Sequence, residues 1–162
     1  MLLLPTLASL LYLLPFSTPQ SLLSPTPPKL EYLYTAHVDC LQSLYETQGP
    51  AGIRKAIPIV GGNFTGPKGL NGKILNLGAD WGSTDPQTGI FTADTRYNLQ
   101  AEDGANLWLR TSGSGVPAGG LHLRVVIETG DKRWYWLNNV VGEFGVSLLT
   151  EVVLMVLQLL VF

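Results

Sequence analysis

Residues 57–81 read IPIVGGNFTGPKGLNGKILNLGADW, and this stretch decides the fold. Two short apolar runs, 57–60 and 74–77, flank a loop rich in glycine, a pattern that predicts paired strands joined through a turn. The density of glycine excludes a helix here, and glycine within strands marks bulges, bends or close backbone approaches. The stretch ends on Asp80 and Trp81. We therefore expect a tightly bent sheet that delivers one carboxylate and one indole to a common pocket.

The composition of the 162-residue chain favours one turn-rich β domain. Only 14% of residues are charged and 46% are hydrophobic, with 18 Gly and 11 Pro. The net charge of −2 offers no basic surface for nucleic acid. The single cysteine, Cys40, excludes an internal disulfide and a cysteine metal cluster. Its residue type favours a small buried hydrophobe over a reactive thiol.

The N-terminal segment is apolar and carries no charge. Residues 1–24 resemble a cleaved secretory signal, although a basic n-region is missing. Pro5, Pro15 and the short length argue against a membrane-spanning helix. Prolines in residues 25–29 predict a stiff linker, and residues 30–162 form the predicted barrel domain. The sequence thus predicts a secreted or secretory-pathway protein without a stable membrane span, with a membrane anchor and a misassigned start as alternatives.

Alternating apolar and polar residues, with turn residues between them, predict the remaining strands. The predicted strands are 30–39, 53–60, 90–99, 105–111, 121–128 and 133–141, with connections at 41–52, 83–89 and 112–120. Asp103 and Gly104 mark a hairpin turn. The apolar segment 148–162 suits either a final strand or a short buried helix. The spacing predicts an antiparallel meander, and closing it into a small β-barrel would remove exposed edges.

Asp80 is the first candidate for acid or base chemistry. A carboxyl group in an apolar, aromatic-lined cavity has a raised proton affinity, which suits proton transfer. Trp81 beside it would contact a ligand. The alternative for Asp80 is a carboxylate that caps its own turn.

A second group of polar and aromatic side chains lies on two strands of one predicted hairpin. Asp94 and Arg96 share one face of the first strand, and Trp108 and Arg110 share one face of the second. If this common face lines the lumen, these residues bind the ligand, and Arg96 polarises an anion or carbonyl. The alternative is a solvated outer face with ordinary cross-strand ion pairs.

The other candidates are weaker. Glu128 and Asn138 would contribute polar groups to the pocket, although Asn138 equally suits the capping of a strand end. The triplet that begins at Asn63 matches an N-glycosylation acceptor. The sequence has no phosphate-binding loop, zinc-type spacing, dinucleotide fingerprint or nucleophile elbow. We therefore predict no metal and no cofactor.

Several of these motifs occur in an order that resembles a known family. They are Gly61-Gly62-x-Phe64-x-Gly66-Pro67, Gly78-Ala79-Asp80-Trp81, Asp94-x-Arg96-Tyr97, Asp103-Gly104-Ala105, Glu128-Thr129-Gly130 and Tyr135-Trp136-Leu137-Asn138. The set resembles the family called domain of unknown function 3237 over residues 30–142. The resemblance implies a single-domain β-barrel. It also implies family positions, without assigned roles, for Asp80, Trp81, Arg96, Tyr97 and Asn138. The chain departs from the pattern at Leu77, at Gly82 and in its apolar tail.

Three functions fit these observations. The first is a cofactor-independent enzyme of the isomerase or cyclase type, acting by proton transfer on a small hydrophobic or aromatic molecule. By analogy this would suit fungal secondary metabolism. In this hypothesis Asp80 and Arg96 are catalytic, and the ligand-binding residues are Trp81, Asp94, Tyr97, Trp108, Arg110, Glu128 and Asn138. The second function is a non-catalytic carrier, and the third a secreted structural protein. Homo-oligomerisation stays open.

Overall fold

The computed structural model describes residues 29–116, 120–149 and 152–161. In this part of the chain nearly all regular structure is β-strand, with two short 3-10 helices at Pro67–Gly69 and Tyr135–Asn139. The first is a single turn that begins at Pro67, inside the glycine-rich stretch where we expected no helix. The strands are β1 (Lys29–Cys40), β2 (Tyr45–Gly49), β3 (Gly52–Thr65), β4 (Gly72–Ile74), β5 (Gly78–Asp80), β6 (Ser83–Thr84), β7 (Phe91–Ala101), β8 (Asn106–Ser114), β9 (Leu121–Glu128), β10 (Val141–Leu149) and β11 (Val152–Val161).

The strands close into a small antiparallel barrel. β7, β8, β9, β10 and β11 follow one another as neighbours, and β11 pairs with β1. β1 also pairs with β3 through residues such as Ala36 opposite Phe64. The sheet therefore returns to its beginning, and closure pairs backbone groups that an open edge would expose. The prediction of a closed barrel is confirmed.

One position in the barrel wall is filled by a strand broken into three pieces. β4, β5 and β6 lie in succession between β3 and β7. The apolar run 57–60 pairs with β5, so the expected pairing of this run with 74–77 is wrong. The physical reason is the length of β3, which continues through its glycines to Thr65 before the chain turns. The bends between the three pieces place Asp80.

Alternation assigns one face of a strand to the interior, most clearly in β7 and β9. Along β9 the odd-numbered residues are buried and the even-numbered residues are exposed. β7 shows the same period, with Tyr97 and Leu99 inside and Arg96 and Asn98 outside. The interior is packed with large apolar side chains, among them Phe64, whose ring centroid lies 5.5 Å from that of Tyr34. This packing supplies most of the free energy that holds the barrel closed.

The second 3-10 helix closes the lower end of the barrel, which is the end where β1 begins and β7 ends. Leu137 is fully buried and Trp134 is nearly so. The indole N–H of Trp134 donates to the Asp103 carboxylate at 2.9 Å, and Arg133 forms an ion pair with that carboxylate at 3.0 Å. This helix lies where we expected the strand 133–141, so that prediction is wrong. The Asn138 side-chain amide holds the last turn, because it donates to the carbonyl of Tyr135. In an extended strand these two residues would lie too far apart for this bond.

Other differences concern the ends of strands. The expected connection 41–52 contains β2, which pairs with β3 and follows β1 along the same edge. β8 extends to Ser114, into the expected loop 112–120. The apolar segment at the C-terminus forms strand β11, so of its two alternatives the final strand is correct and the buried helix is wrong. The predicted signal at 1–24 and most of the linker at 25–29 lie outside the described residues. Among those that the structure describes, no helix is long and apolar enough to cross a membrane.

Removal of the Leu137 side chain tests the role of the lower closure. We expect Leu137→Ala to lower the free energy of unfolding by about 2–5 kcal/mol, because a fully buried leucine leaves a cavity. The matched control is Val126→Ala on the outer face of β9, where half the side chain is exposed and the loss should stay under about 1 kcal/mol. Urea denaturation monitored by tryptophan fluorescence measures both. If both variants lost the same free energy of unfolding, the burial of Leu137 in the barrel end would not stabilise the fold.

Candidate functional site

Asp80 lies at the end of β5 with its carboxyl group turned toward the barrel interior. It is opposite Ile57 of β3 and Thr95 of β7, and only 9% of the residue is exposed. Two glycines allow this placement. A Cβ atom at Gly78 would lie 2.5 Å from that of Tyr97, and one at Gly82 would overlap the Phe91 ring. Only glycine allows the broken strand to approach β7 this closely.

The Asp80 carboxylate accepts two backbone hydrogen bonds. Its Oδ1 lies 2.9 Å from the N–H of Asp94, and the N–H of Gly82 also donates to it. The bond from Gly82 is the turn-capping role that we considered as the alternative. Burial nevertheless raises the pKa of Asp80 to about 6; the Asp94 charge also raises it, and the two N–H groups lower it. The group therefore changes protonation close to neutral pH.

Three other titratable groups of the described chain lie on the inner wall, and Cys40 among them interacts with Asp80. Burial, followed by the charges of Asp80 and Asp39, raises the pKa of Cys40 to about 11. Burial also raises the pKa of Tyr97, with a smaller contribution from Cys40. It raises the pKa of Tyr34 well above its usual value, with a contribution from Tyr97. The thiol and the phenols thus stay protonated at neutral pH.

Trp81 follows Asp80 but differs from it in exposure. Half of the Trp81 side chain is exposed, and its carbonyl accepts a 2.8 Å hydrogen bond from the Arg54 guanidinium. It belongs to a rim of exposed apolar residues at the upper end of the barrel, which we define as Leu41, Leu44, Tyr45, Trp81 and Ile90. The carboxylate and the indole therefore occupy different surroundings, inner wall and rim.

Asp94, Arg96 and Arg110 form a cluster on the outer face. Arg96 and Arg110 are directly opposite each other on β7 and β8, and the Asp94 carboxylate contacts both, at 3.3 and 3.2 Å. All three side chains are partly exposed. Of the two alternatives for this face, the structure supports the solvated outer surface. Such exposed pairs contribute at most about 1 kcal/mol each, and Asp94 relieves the repulsion between the arginines.

A cleft of about 490 Å³ opens on the outside of the barrel near its lower end. Its lining residues are Asn98, Asn106, Leu107, Trp108, Glu128, Thr129, Gly130, Tyr135 and Asn138. It brings together three of the predicted ligand-binding residues, Trp108, Glu128 and Asn138, away from Asp80. The Asn138 amide accepts the N–H of Thr129 and donates to the carbonyls of Thr129 and Tyr135. These bonds hold the 3-10 helix against the end of β9, and the ligand-binding role of Asn138 stays a prediction.

Sequence reasoning missed the other polar groups of the inner wall. Thr95 and Thr111 are buried, lie opposite each other and share a short hydrogen bond between their hydroxyl groups. The signal was present as threonines in phase with the apolar residues of β7 and β8. Tyr97, one of the predicted ligand-binding residues, lies on this inner wall and is fully buried.

The predicted glycosylation acceptor, Asn63, lies exposed in β3, between paired residues of β1 and β4. Its modification stays a prediction. Within residues 29–116, 120–149 and 152–161, no group of three or more histidine, cysteine or acidic side chains is arranged to hold a metal ion.

Comparison with known proteins identifies relatives in fungi and bacteria. The family model described as protein of unknown function (DUF3237) matches residues 28–149. The hydroalkoxylation enzyme phnH of Penicillium herquei is 33% identical over 116 residues, which are 72% of each chain. A crystal structure of an enzyme from Penicillium herquei has a TM-score of 0.70 at 28% identity, covering 84% of this chain and 97% of that one. A β-barrel-like protein from Acinetobacter baumannii has a TM-score of 0.77 at 32% identity, covering 86% and 99%.

The raised pKa of Asp80 predicts a pH-dependent stability. Folding raises this pKa from 3.8 to about 6, so the folded state binds more protons than the unfolded state between these values. Stability from this group is therefore lost as the pH rises through that window. Between pH 4 and 7.5, the free energy of unfolding of the wild type relative to Asp80→Asn should fall by about 2 kcal/mol.

Urea titrations at the two pH values measure this difference. Asp39→Asn, an equivalent change at an exposed carboxylate near the same end of the barrel, is the control. The same pH dependence in both variants would show that Asp80 is not its source.

Proposed function

The chain belongs to the DUF3237 family, and from this premise we propose that it is an enzyme that catalyses proton transfer on a small hydrophobic or aromatic molecule. The proposed reaction is of the isomerase or cyclase type. The observation that carries the proposal is the position of Asp80, a buried carboxyl group on the inner wall with a pKa of about 6. General bases work best when their pKa lies near the working pH.

Asp80 has no competitor on the described inner wall for this role. Cys40 and Tyr97 are held in their protonated forms by burial, so neither accepts a proton at neutral pH. They can only donate hydrogen bonds there. Asp80 can both take up and return a proton, since its two forms differ little in free energy near neutrality.

The surroundings of the upper end support a hydrophobic substrate. The rim of Leu41, Leu44, Tyr45, Trp81 and Ile90 exposes apolar surface at the end of the barrel nearer to Asp80. The lower end is closed by Trp134 and Leu137. We therefore propose that the substrate reaches Asp80 from the upper end. As it enters, its apolar surface is buried against the rim and removed from water.

The relationship to a hydroalkoxylation enzyme suggests a specific reaction. In hydroalkoxylation a hydroxyl group adds across a carbon–carbon double bond. Asp80 would take the hydroxyl proton, the oxygen would form a bond to one alkene carbon as the π bond breaks, and the resulting acid would return the proton to the other carbon. The product is an isomer of the substrate, so the step requires neither oxidant nor reductant. A place in fungal secondary metabolism is part of this proposal.

Replacement of Asp80 tests the proposal directly. With a panel of phenols that carry a neighbouring alkenyl side chain, we expect the wild type to form a cyclic ether of unchanged mass. Asp80→Asn should lower kcat/KM about 10²–10⁴-fold, because proton transfer loses its base. Chromatography and proton NMR distinguish substrate from product. Asp39→Asn is the matched control and should keep nearly full activity.

If Asp80→Asn changes only the affinity for these phenols, and no phenol is converted by stoichiometric wild-type protein, the barrel is a carrier and the proposal is wrong.

The pH profile provides a second prediction. Asp80 is the active base only when it is ionised, so kcat/KM should rise with pH through about 6 and then level off. The residual activity of Asp80→Asn should lack this rise. A profile that falls through the same pH would instead assign the protonated acid as the active form.

Substitution of Arg96 tests whether a residue on the outer face takes part in catalysis. Its guanidinium lies on the outer face against Asp94, whereas Asp80 faces inward. We therefore expect Arg96→Gln to change kcat less than about threefold, in line with the small energy of an exposed ion pair. A loss comparable to that of Asp80→Asn would restore Arg96 to the catalytic role that the sequence suggested.

A further inference from the structure

The outer cleft has the features of a second binding site, independent of Asp80. Its floor is a row of side chains in register across three strands, because Asn98 lies opposite Trp108 and Trp108 lies opposite Glu128. Tyr135 stands on the neighbouring 3-10 helix as the far wall. The volume of about 490 Å³ falls within the range of sites for small molecules.

The wall of the cleft is fixed before any ligand arrives. The Asn138 amide accepts the N–H of Thr129 at 2.9 Å and donates to the Thr129 carbonyl at 3.0 Å, which joins the helix to the end of β9. It also donates to the Tyr135 carbonyl within the helix at 2.7 Å. The Thr129 hydroxyl donates to the carbonyl of Asn106 across the end of the sheet at 2.8 Å. A wall held in this way loses little conformational entropy on binding, which favours affinity for a small ligand.

The charge of the cleft indicates the class of ligand. Glu128 is the one charged side chain in the lining. Its carboxylate makes neither an ion pair nor a hydrogen bond with the described residues. Elsewhere on the surface, the carboxylates of Asp94, Asp103 and Asp131 each contact an arginine. A lone carboxylate beside aromatic rings attracts a cation, through the charge and through the negative faces of the rings.

We propose that this cleft binds a small organic cation through an ammonium group, either primary or quaternary. The cation contacts the Glu128 carboxylate, and its apolar part lies against Trp108 and Tyr135. Asn98 also lines the cleft, and its amide nitrogen is engaged with the carbonyl of Leu77 at 2.8 Å, which leaves its Oδ1 atom as the group for a ligand. It supplies a polar contact for a hydroxyl or amine hydrogen. The site therefore distinguishes cations from neutral molecules of the same shape.

Choline and its uncharged carbon isostere, 3,3-dimethylbutan-1-ol, test this proposal by calorimetric titration of the whole protein. We expect choline to bind saturably and the isostere to bind about tenfold more weakly or worse, because only choline gains the charge interactions. Glu128→Gln should weaken choline binding by about tenfold or more. Glu46→Gln is the matched control, since it removes an exposed carboxylate near the other end of the barrel, and it should bind choline as the wild type does.

Two further variants keep the result interpretable. Trp108→Leu should weaken choline binding while circular dichroism shows an intact barrel. Asp80→Asn should leave choline binding unchanged, which separates this site from the inner one. Equal affinity for choline and its isostere, tighter binding of methyl glucoside than of choline, or the absence of saturable choline binding at roughly millimolar concentration would each overturn the proposal.

Discussion

The contact between the broken strand and β7 is the constraint on which the rest of the structure depends. At Gly78 and Gly82 the two backbones approach so closely that no side chain fits between them. This approach lets β4, β5 and β6 fill a single position in the wall while the chain bends between them. A continuous strand would cross this position without a bend. The bend leaves the Asp80 carboxylate on the inner wall, held by two backbone N–H groups.

The electrostatic environment differs between the inner and the outer face of the barrel wall. Inside, burial dominates, so the pKa values of Asp80, Cys40 and Tyr97 all rise and the neutral forms are favoured. Outside, Asp94 lies between Arg96 and Arg110 in contact with solvent, and the ion pairs there are weak. Successive residues of a strand point to opposite faces, so Asp94 and Thr95 belong to different environments although they are adjacent in sequence.

At the lower end of the barrel, one 3-10 helix contributes both to the stability of the fold and to the wall of the outer cleft. The 3-10 helix buries Leu137 and Trp134 in the end of the barrel, and the same helix presents Tyr135 to the cleft. Asn138 makes this double role possible, because its amide bonds to the backbone of Thr129 just after β9 and to the carbonyl of Tyr135 in the helix. Asn138, a predicted ligand-binding residue, therefore holds the wall of the cleft in place.

The sequence by itself determined the class of fold and the strands 90–99 and 121–128 almost to the residue, because alternation and turn residues are local signals. It also singled out Asp80 as a carboxylate beside a glycine bend, and its catalytic role stays a proposal. It could not assign the faces of β7 and β8. A period of two shows which residues share a face, whereas the closure of the barrel decides which face is inside. Only the tertiary structure shows that Arg96 lies on the outer face and that a 3-10 helix replaces the expected strand 133–141. It also shows that Trp108 and Glu128 line one cleft. Those outcomes depend on contacts between residues distant in sequence, which no local pattern encodes.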